Sequence, residues 1–428
     1  MRAEPRAGRR CVRSADNLYA KRTQRAATGH WKAFMGRKRI GILTGGGDVP
    51  GLNSVIKSVV YRGYEHGLDV VGIRLGFEGL INVDLDSAAS RARFIMELDQ
   101  ENCRTIDRTG GTILHTSRTG PTKVQKLPPH LEGKDVAATE GPNGVTYDLT
   151  PQVLKNLDRL GIESLLCIGG DGTITSASHL ASKGVKVIAI PKTMDNDVQG
   201  TEYCIGFSTA ITRACDAVER QRTTVGSHER IGIFRVFGRD AGFTALFTAH
   251  ATSNRCVIPE HKVDLTKLID LLVTEKRENP SNYALVILSE GATWNGYEVQ
   301  EYGPADVHGR RKRASVAEVL SEEIRRRTGE ETVVSDLTYD LRSGDPDFID
   351  KLVAATFGTM ALDAVLEGMS GVMSALVNGV YELVPLPDPK LGPRKVDVAT
   401  MYNTKRYRPL YAHKRGMPIF LASAAPKG

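Results

Sequence analysis

From residue 38 onward, short apolar runs alternate with stretches in which apolar residues recur every three or four positions. Arg39–Leu43 predicts a strand, and the turn-forming TGGGDVPG follows it. Leu52, Val55, Ile56, Val59 and Val60 then mark one face of a helix, and Leu68–Ile73 the next strand. PQVLKNLDRLG predicts a helix with proline at its start and glycine at its end. SLLCI predicts a strand, TITSASHLASKG a helix and VKVIAI another strand. A second series comprises strand Ile231–Val236, helix Ala241–Ala249, a strand near Cys256–Pro259, helix Leu265–Lys276 and strand Ala284–Leu288. Residues 315–327 and 348–367 predict further helices.

Repeated strand–helix alternation implies parallel sheets covered by helices on both faces. The expected fold class is therefore α/β: two doubly wound, Rossmann-like parallel-sheet domains with the active site in the cleft between them. The division expected is 37–206 plus 343–385 for one domain and 207–342 for the other, with helix 348–367 and the strands after it returning to the first. Residues 386–428 are rich in proline and tyrosine with weak periodicity, which suits a C-terminal arm or lid. No low-complexity tract or short internal repeat is present.

Composition changes this picture little. The chain has 428 residues, 41% hydrophobic and 25% charged, as in globular proteins. No apolar run approaches the roughly 20 residues that span a bilayer, so no membrane role is expected. The net charge of +7 could suggest nucleic acid, but residues 1–39 alone carry +10, leaving the remainder at −3. A basic tail on a mildly acidic body argues against a nucleic-acid partner. Residues 1–36 read as a disordered basic tail; the Arg-rich composition also suits a transit peptide, and Met35 offers an alternative start. Six cysteines without a CxxC pair suit a reducing, cytoplasmic setting.

In doubly wound sheets, ligands sit at the carboxyl ends of the strands. The loops there read TGGGDVPG (44–51), GGDGT (169–173), PKTMDND (191–197), FGRDAG (237–242) and SEG (289–291). None fits GxGxxG or GxxxxGK[ST], so neither dinucleotide binding nor a Walker-type phosphate loop is indicated. Together they suit phosphoryl transfer. Glycines at 45–47 and 169–172 can offer backbone N–H groups to phosphates, aided by a helix N-terminus. Asp171 is placed for Mg²⁺, which typically takes only one or two protein carboxylates. Asp195 can accept the proton of an attacking hydroxyl, and Lys192 and Arg239 can stabilise the transferring group.

These motifs, with SHERIGIFRVFGRDAG and YDLRSGDP, occur in an order and spacing that resemble the 6-phosphofructokinases over about residues 37–385. The resemblance implies phosphorylation of the 1-hydroxyl of fructose 6-phosphate in glycolysis, with Mg²⁺ and with ATP or pyrophosphate as donor. By motif, Gly47, Arg118, Gly170, Gly172 and Thr173 resemble the donor site, with Asp171 on the metal. Asp195 resembles the catalytic base, flanked by Thr193 and Asp197. Phe237, Gly238 and Arg239 occupy the place of a Met-Gly-Arg motif. Glu290 resembles a sugar-hydroxyl ligand, and Arg230, Tyr339 and Arg342 resemble 6-phosphate ligands. Tyr339 stands where short bacterial members carry histidine. Near Val333 no arginine matches the one they lend across a subunit boundary. The chain thus resembles the longer, plant-like and pyrophosphate-using branch, and a homo-oligomer, dimer or tetramer, is expected.

Two residues point to different donors. Lysine at 192 is found in pyrophosphate users, whereas glycine at 172 replaces the aspartate those enzymes usually carry. A carboxylate there would face a nucleotide's α-phosphate. Like charges at about 4 Å and an effective dielectric near 20 repel by roughly 4 kcal/mol. Glycine removes that repulsion while lysine does not exclude ATP, so ATP is the expected donor and pyrophosphate the alternative. A pyridine-nucleotide dehydrogenase would need GxGxxG, and a non-catalytic sugar-phosphate sensor would be expected to lack Asp195 or Asp171.

Overall fold

The computed structural model describes residues 37–141, 144–297, 301–303 and 312–412. The basic tail expected for residues 1–36, and residues 413–428 of the C-terminal segment, lie outside these.

The first strands are β1 (Arg39–Thr44), β2 (Asp69–Ile73), β3 (Ile95–Leu98), β4 (Ala138–Gly141) and β5 (Gly144–Tyr147). Then come β6 (Ile162–Gly169), β7 (Lys186–Pro191), β8 (Ile231–Val236), β9 (Arg255–Val257) and β10 (Ala284–Ser289). The last are β11 (Glu301–Tyr302), β12 (Lys312–Arg313), β13 (Thr332–Asp336), β14 (Val372–Val377), β15 (Val380–Pro385), β16 (Tyr402–Asn403) and β17 (Arg408–Pro409). Two sheets organise them: a seven-stranded one, β15-β14-β7-β6-β1-β2-β3, and a four-stranded one, β13-β8-β10-β9. The fold is α/β, and the strands that reach the site are parallel. Their continuous apolar runs follow from burial on both faces: Leu165 to Ile168, Val187 to Ile190 and Val286 to Leu288 are fully buried.

The sheets differ from an all-parallel reading at the edges of the larger one. β3 runs antiparallel to β2, and β15 antiparallel to β14. The second reversal is a two-residue hairpin at Asn378-Gly379, both with positive φ (51° and 77°), the conformation such a turn requires. The helices Thr150–Arg159, Asp171–Ser182, Phe243–Thr252, Leu265–Glu278, Val316–Thr328 and Phe348–Leu366 lie within a few residues of their expected bounds. The 21-residue helix Phe207–Ser227, longer than any of these, was not anticipated. It buries Phe207, Ala210, Ala214, Val218 and Val225, a face built mostly of small residues.

In larger-sheet order, β2 and β6 flank β1, so the chain reverses its winding between β1 and β6. Such a switch point opens a crevice at the carboxyl ends of the strands. Asp350 braces this region from below. Its buried carboxylate accepts from Tyr203 Oη at 2.6 Å, from the Gly206 and Thr209 amides at 2.8 Å, and from Thr209 Oγ1. It thereby joins helix Phe348–Leu366 to the start of helix Phe207–Ser227, just beyond the PKTMDND loop. Among the described residues, no helix is long and apolar enough to cross a membrane.

Candidate active site

Loops from both sheets meet around a cavity of about 370 Å³. Its lining includes Gly45–Gly47 after β1, Gly170–Thr173 after β6, Lys192, Thr193, Asp195 and Asp197 after β7, and Arg239 and Asp240 after β8. Phe77 and the stretch Ser117–Gly120 form another part of the wall. Of the residues expected for donor, metal and catalysis, Gly47, Arg118, Gly170, Asp171, Gly172, Thr173, Lys192, Asp195 and Arg239 all line it, as do Thr193 and Asp197.

The phosphate cradle is narrower than the glycine count suggested. The Gly45 amide donates to Ile168 O at 2.9 Å and the Gly46 amide to Ser117 O at 2.8 Å, so both are engaged by the fold. They fix the loop against β6 and the 117 segment. Thr173 supports the same junction: a Cβ on Gly45 would come within 2.4 Å of its Oγ1. The helix that carries Thr173, Asp171–Ser182, presents to the cavity an N-terminus with no side-chain cap among the described residues and with Asp171 in its first turn. Its partial positive charge favours an anion there.

Lys192 is only 3% exposed, and its Nζ donates to Gly47 O at 2.5 Å. Burial, then the Arg342 and Arg118 guanidinium groups, push its pKa down to about 8, opposed by Asp48. Among cations and with little water, this ammonium is set to meet an anionic ligand.

The next turn aims two carboxylates. Asn196 has φ +54°, left-handed and uncommon outside glycine, though asparagine tolerates it. Its side chain turns inward, donating to Glu202 O at 2.9 Å and accepting from the Cys204 amide at 2.8 Å. Asp195 and Asp197, on either side of it, face the cavity. The Asp195 amide donates to Thr193 Oγ1 at 3.1 Å. Asp195 is partly exposed and lines the cavity. Desolvation, then Asp197 and Glu290, raise its pKa to about 8; Arg342 and the Arg239 amide pull the other way. Burial likewise raises Asp197, while Thr193 and Arg394 oppose the shift.

The sugar-side residues are less gathered. Glu290 pairs with Arg239 at 3.4 Å. Gly238, at φ +123°, brings its backbone so close to the SEG turn that a Cβ would lie 2.4 Å from Ser289 Oγ. Arg342 packs over Phe237 at 4.8 Å and Tyr339 at 5.5 Å, with Asp48 at 3.9 Å. It therefore lies beside the Gly47 loop as well as the sugar-side residues. Tyr339 is 73% exposed. Arg230 is not brought to this site within the chain. It precedes β8, six residues long, whereas Arg239 follows it, and strands rise about 3.3 Å per residue. Instead, Arg230 pairs with Glu331 at 2.6 Å.

Among the wall residues not anticipated are Phe77, Ser117, Thr119, Gly120, Ser176 and Asp240, and two further contributors come from a remote segment. Pro393 lines the cavity, and the adjacent Arg394 is buried beneath the PKTMDND loop. The segment that carries them runs back over its own chain. The Val396 amide donates to Glu260 Oε1 at 2.8 Å, and Tyr402 Oη to Cys256 O at 2.7 Å. A single arginine in a proline-rich stretch gave no signal in the sequence.

The family model described as "Phosphofructokinase" matches residues 39–365. An "ATP-dependent 6-phosphofructokinase 3" of Streptomyces coelicolor is 35% identical over 82% of this chain and 94% of its own. A "Pyrophosphate–fructose 6-phosphate 1-phosphotransferase" of Dictyoglomus thermophilum is 34% identical over 82% of this chain and 92% of its own. Among solved structures, a pyrophosphate-dependent phosphofructokinase from Marinobacter aquaeolei superposes with TM-score 0.67. It is 18% identical, covering 90% of this chain and 92% of its own, and supports the fold alone. The family match and the two sequence relatives, each aligned over most of both chains, make this protein a member of the phosphofructokinase family.

Proposed function

We propose that the protein transfers a phosphoryl group from ATP to the 1-hydroxyl of fructose 6-phosphate, giving fructose 1,6-bisphosphate. The observation that carries this reading is the convergence of Asp195, the helix N-terminus at Asp171 and the cations Lys192 and Arg239 on one cavity. Residues 37–206 and 343–385 form the donor half and residues 207–342 the sugar half.

Asp195 accepts the hydroxyl proton as the sugar oxygen bonds to the terminal phosphorus and the bond to the departing diphosphate breaks. A base whose pKa lies near working pH suits that task, and such a base contributes about 10²–10⁴-fold. Lys192 and Arg239 stabilise the charge that spreads over the transferring oxygens. Glu290, held by Arg239, orients a sugar hydroxyl; Thr193 and Asp197 keep the base in place. Arg342 and Tyr339 take the 6-phosphate.

Asp171 fits a magnesium ion bound chiefly through the donor's phosphates. When bound, it neutralises phosphate charge. Arg230, at the far end of β8, can serve a sugar phosphate only from a second copy of the chain, which supports a homo-oligomer, dimer or tetramer. The five described cysteines are free and four are buried, in keeping with a cytoplasmic enzyme.

ATP is favoured because position 172 of the wall is glycine and not a carboxylate that would face the nucleotide's α-phosphate. Pyrophosphate remains the second reading, supported by Lys192. The test is to measure kcat/KM for each donor at matched magnesium. ATP is expected to exceed pyrophosphate; a tenfold advantage for pyrophosphate would show that Lys192 sets the choice.

A further inference from the structure

Arg394 lies outside every motif that carries the family resemblance, yet it is buried against the loop that bears the base. It is 7% exposed, and its guanidinium lies 4.7 Å over the Phe243 ring. Nη2 donates to Asn196 O and, at 3.4 Å, to Glu202 O. Its backbone amide donates to Asp197 O at 2.7 Å. Nε and Nη1 are buried with no hydrogen-bond partner among the described residues. A charge is costly to bury in this way unless it is paired, and the nearby carboxylates, Asp197 and Glu202, interact with it through space.

The contacts fall on the turn that aims the carboxylates. Asn196 adopts a left-handed conformation there, one asparagine tolerates better than most residues and its surroundings help select. Its side chain fixes it from one direction, through Glu202 O and the Cys204 amide. Arg394 fixes its carbonyl from another, while binding the next peptide through Asp197 O. A rotation of the Asn196 peptide would swing the Asp195 and Asp197 carboxylates away from their present aim.

We propose that Arg394 is a positioning residue for phosphoryl transfer: it locks the left-handed Asn196 peptide so that Asp195 and Asp197 point into the cavity. This rests on the reading of Asp195 as the base. Arg394 touches no reacting atom in this scheme and acts only through the loop.

The test compares Arg394→Gln and Arg394→Lys with wild type, alongside Asp195→Asn. Misplacing a catalytic group by about 1 Å can cost about 10²-fold, so R394Q is expected to lower kcat by about that factor. KM for both substrates should stay within about threefold, since the donor and sugar ligands are untouched. R394K, which keeps a cationic donor, should recover most of the lost kcat. A folded R394Q with kcat within threefold of wild type overturns the proposal. So do parallel rises in both KM values without a fall in kcat, the pattern of a loosened site. Should R394Q not fold, Phe243→Leu removes the ring beneath the guanidinium; a fall in its kcat supports the proposal and a wild-type kcat overturns it. An active D195N would overturn the base assignment itself, whereas an inert D195N beside an unaffected R394Q would overturn the role of Arg394 alone.

Discussion

Replacing Asp195 by asparagine should move activity and stability in opposite directions. The amide cannot accept the hydroxyl proton, so kcat should fall by about 10²–10⁴-fold while both substrates still bind. Stability should rise, because asparagine carries no charge to desolvate. Burial, Asp197 and Glu290 raise the Asp195 pKa from 3.8 to about 8. At about 1.4 kcal/mol per pKa unit, that span is worth at most roughly 6 kcal/mol. Water entering through the cavity lowers it, so roughly a few kcal/mol is expected. The sign follows from linkage. The folded state holds this proton more tightly than the unfolded chain, so the contribution to stability falls as pH rises from about 4 to about 8. The melting temperature of D195N should therefore exceed wild type by several degrees near pH 8, with the gap closing toward pH 4. Steady-state assay and thermal unfolding at several pH values read both effects. A D195N enzyme keeping more than about a tenth of wild-type kcat would refute the base assignment. A variant less stable than wild type at pH 8 would refute the desolvation argument.

Arg342→Ala should raise KM for fructose 6-phosphate roughly 10–100-fold, the value of a charge-assisted hydrogen bond of about 1.5–3 kcal/mol. KM for the donor should hardly change; equal effects would instead assign Arg342 to the Gly47–Asp48 side, which it also approaches. Asp350→Ala strands the Tyr203 hydroxyl and the Gly206 and Thr209 amides in the interior, at about 1–3 kcal/mol each. Denaturant unfolding should show a loss of at least about 3 kcal/mol, and a loss below about 1 kcal/mol would mean these donors find other partners.

Much of the architecture was legible because buried parallel strands leave unbroken apolar runs. Leu165–Ile168 and Val187–Ile190 needed no tertiary knowledge to read. The loops after them could be collected for the same reason, since strand ends predict where a ligand binds. Helix Phe207–Ser227 escaped because Ala210 and Ala214 supply much of its buried face, and alanine leaves little contrast with threonine and serine. The Asn378-Gly379 turn was a readable hairpin signal, and with it the antiparallel edge. Arg230 could have been separated from Arg239 by counting residues along β8; a shared motif obscured their opposite ends. Other features depend on distant chain segments. The Gly45 and Gly46 amides are engaged by Ile168 and Ser117, and Arg394 becomes buried only when a remote segment folds back over the loop. No local pattern encodes those meetings.

The most direct measurement follows the carbon that receives phosphate. Purified protein, fructose 6-phosphate, magnesium and either ATP or pyrophosphate would be incubated and the products resolved by phosphorus and carbon NMR. A new phosphomonoester at carbon 1, formed only with magnesium and in step with donor loss, is expected. Donor hydrolysis without sugar phosphorylation, phosphate on another carbon, or no turnover with either donor would contradict the assignment.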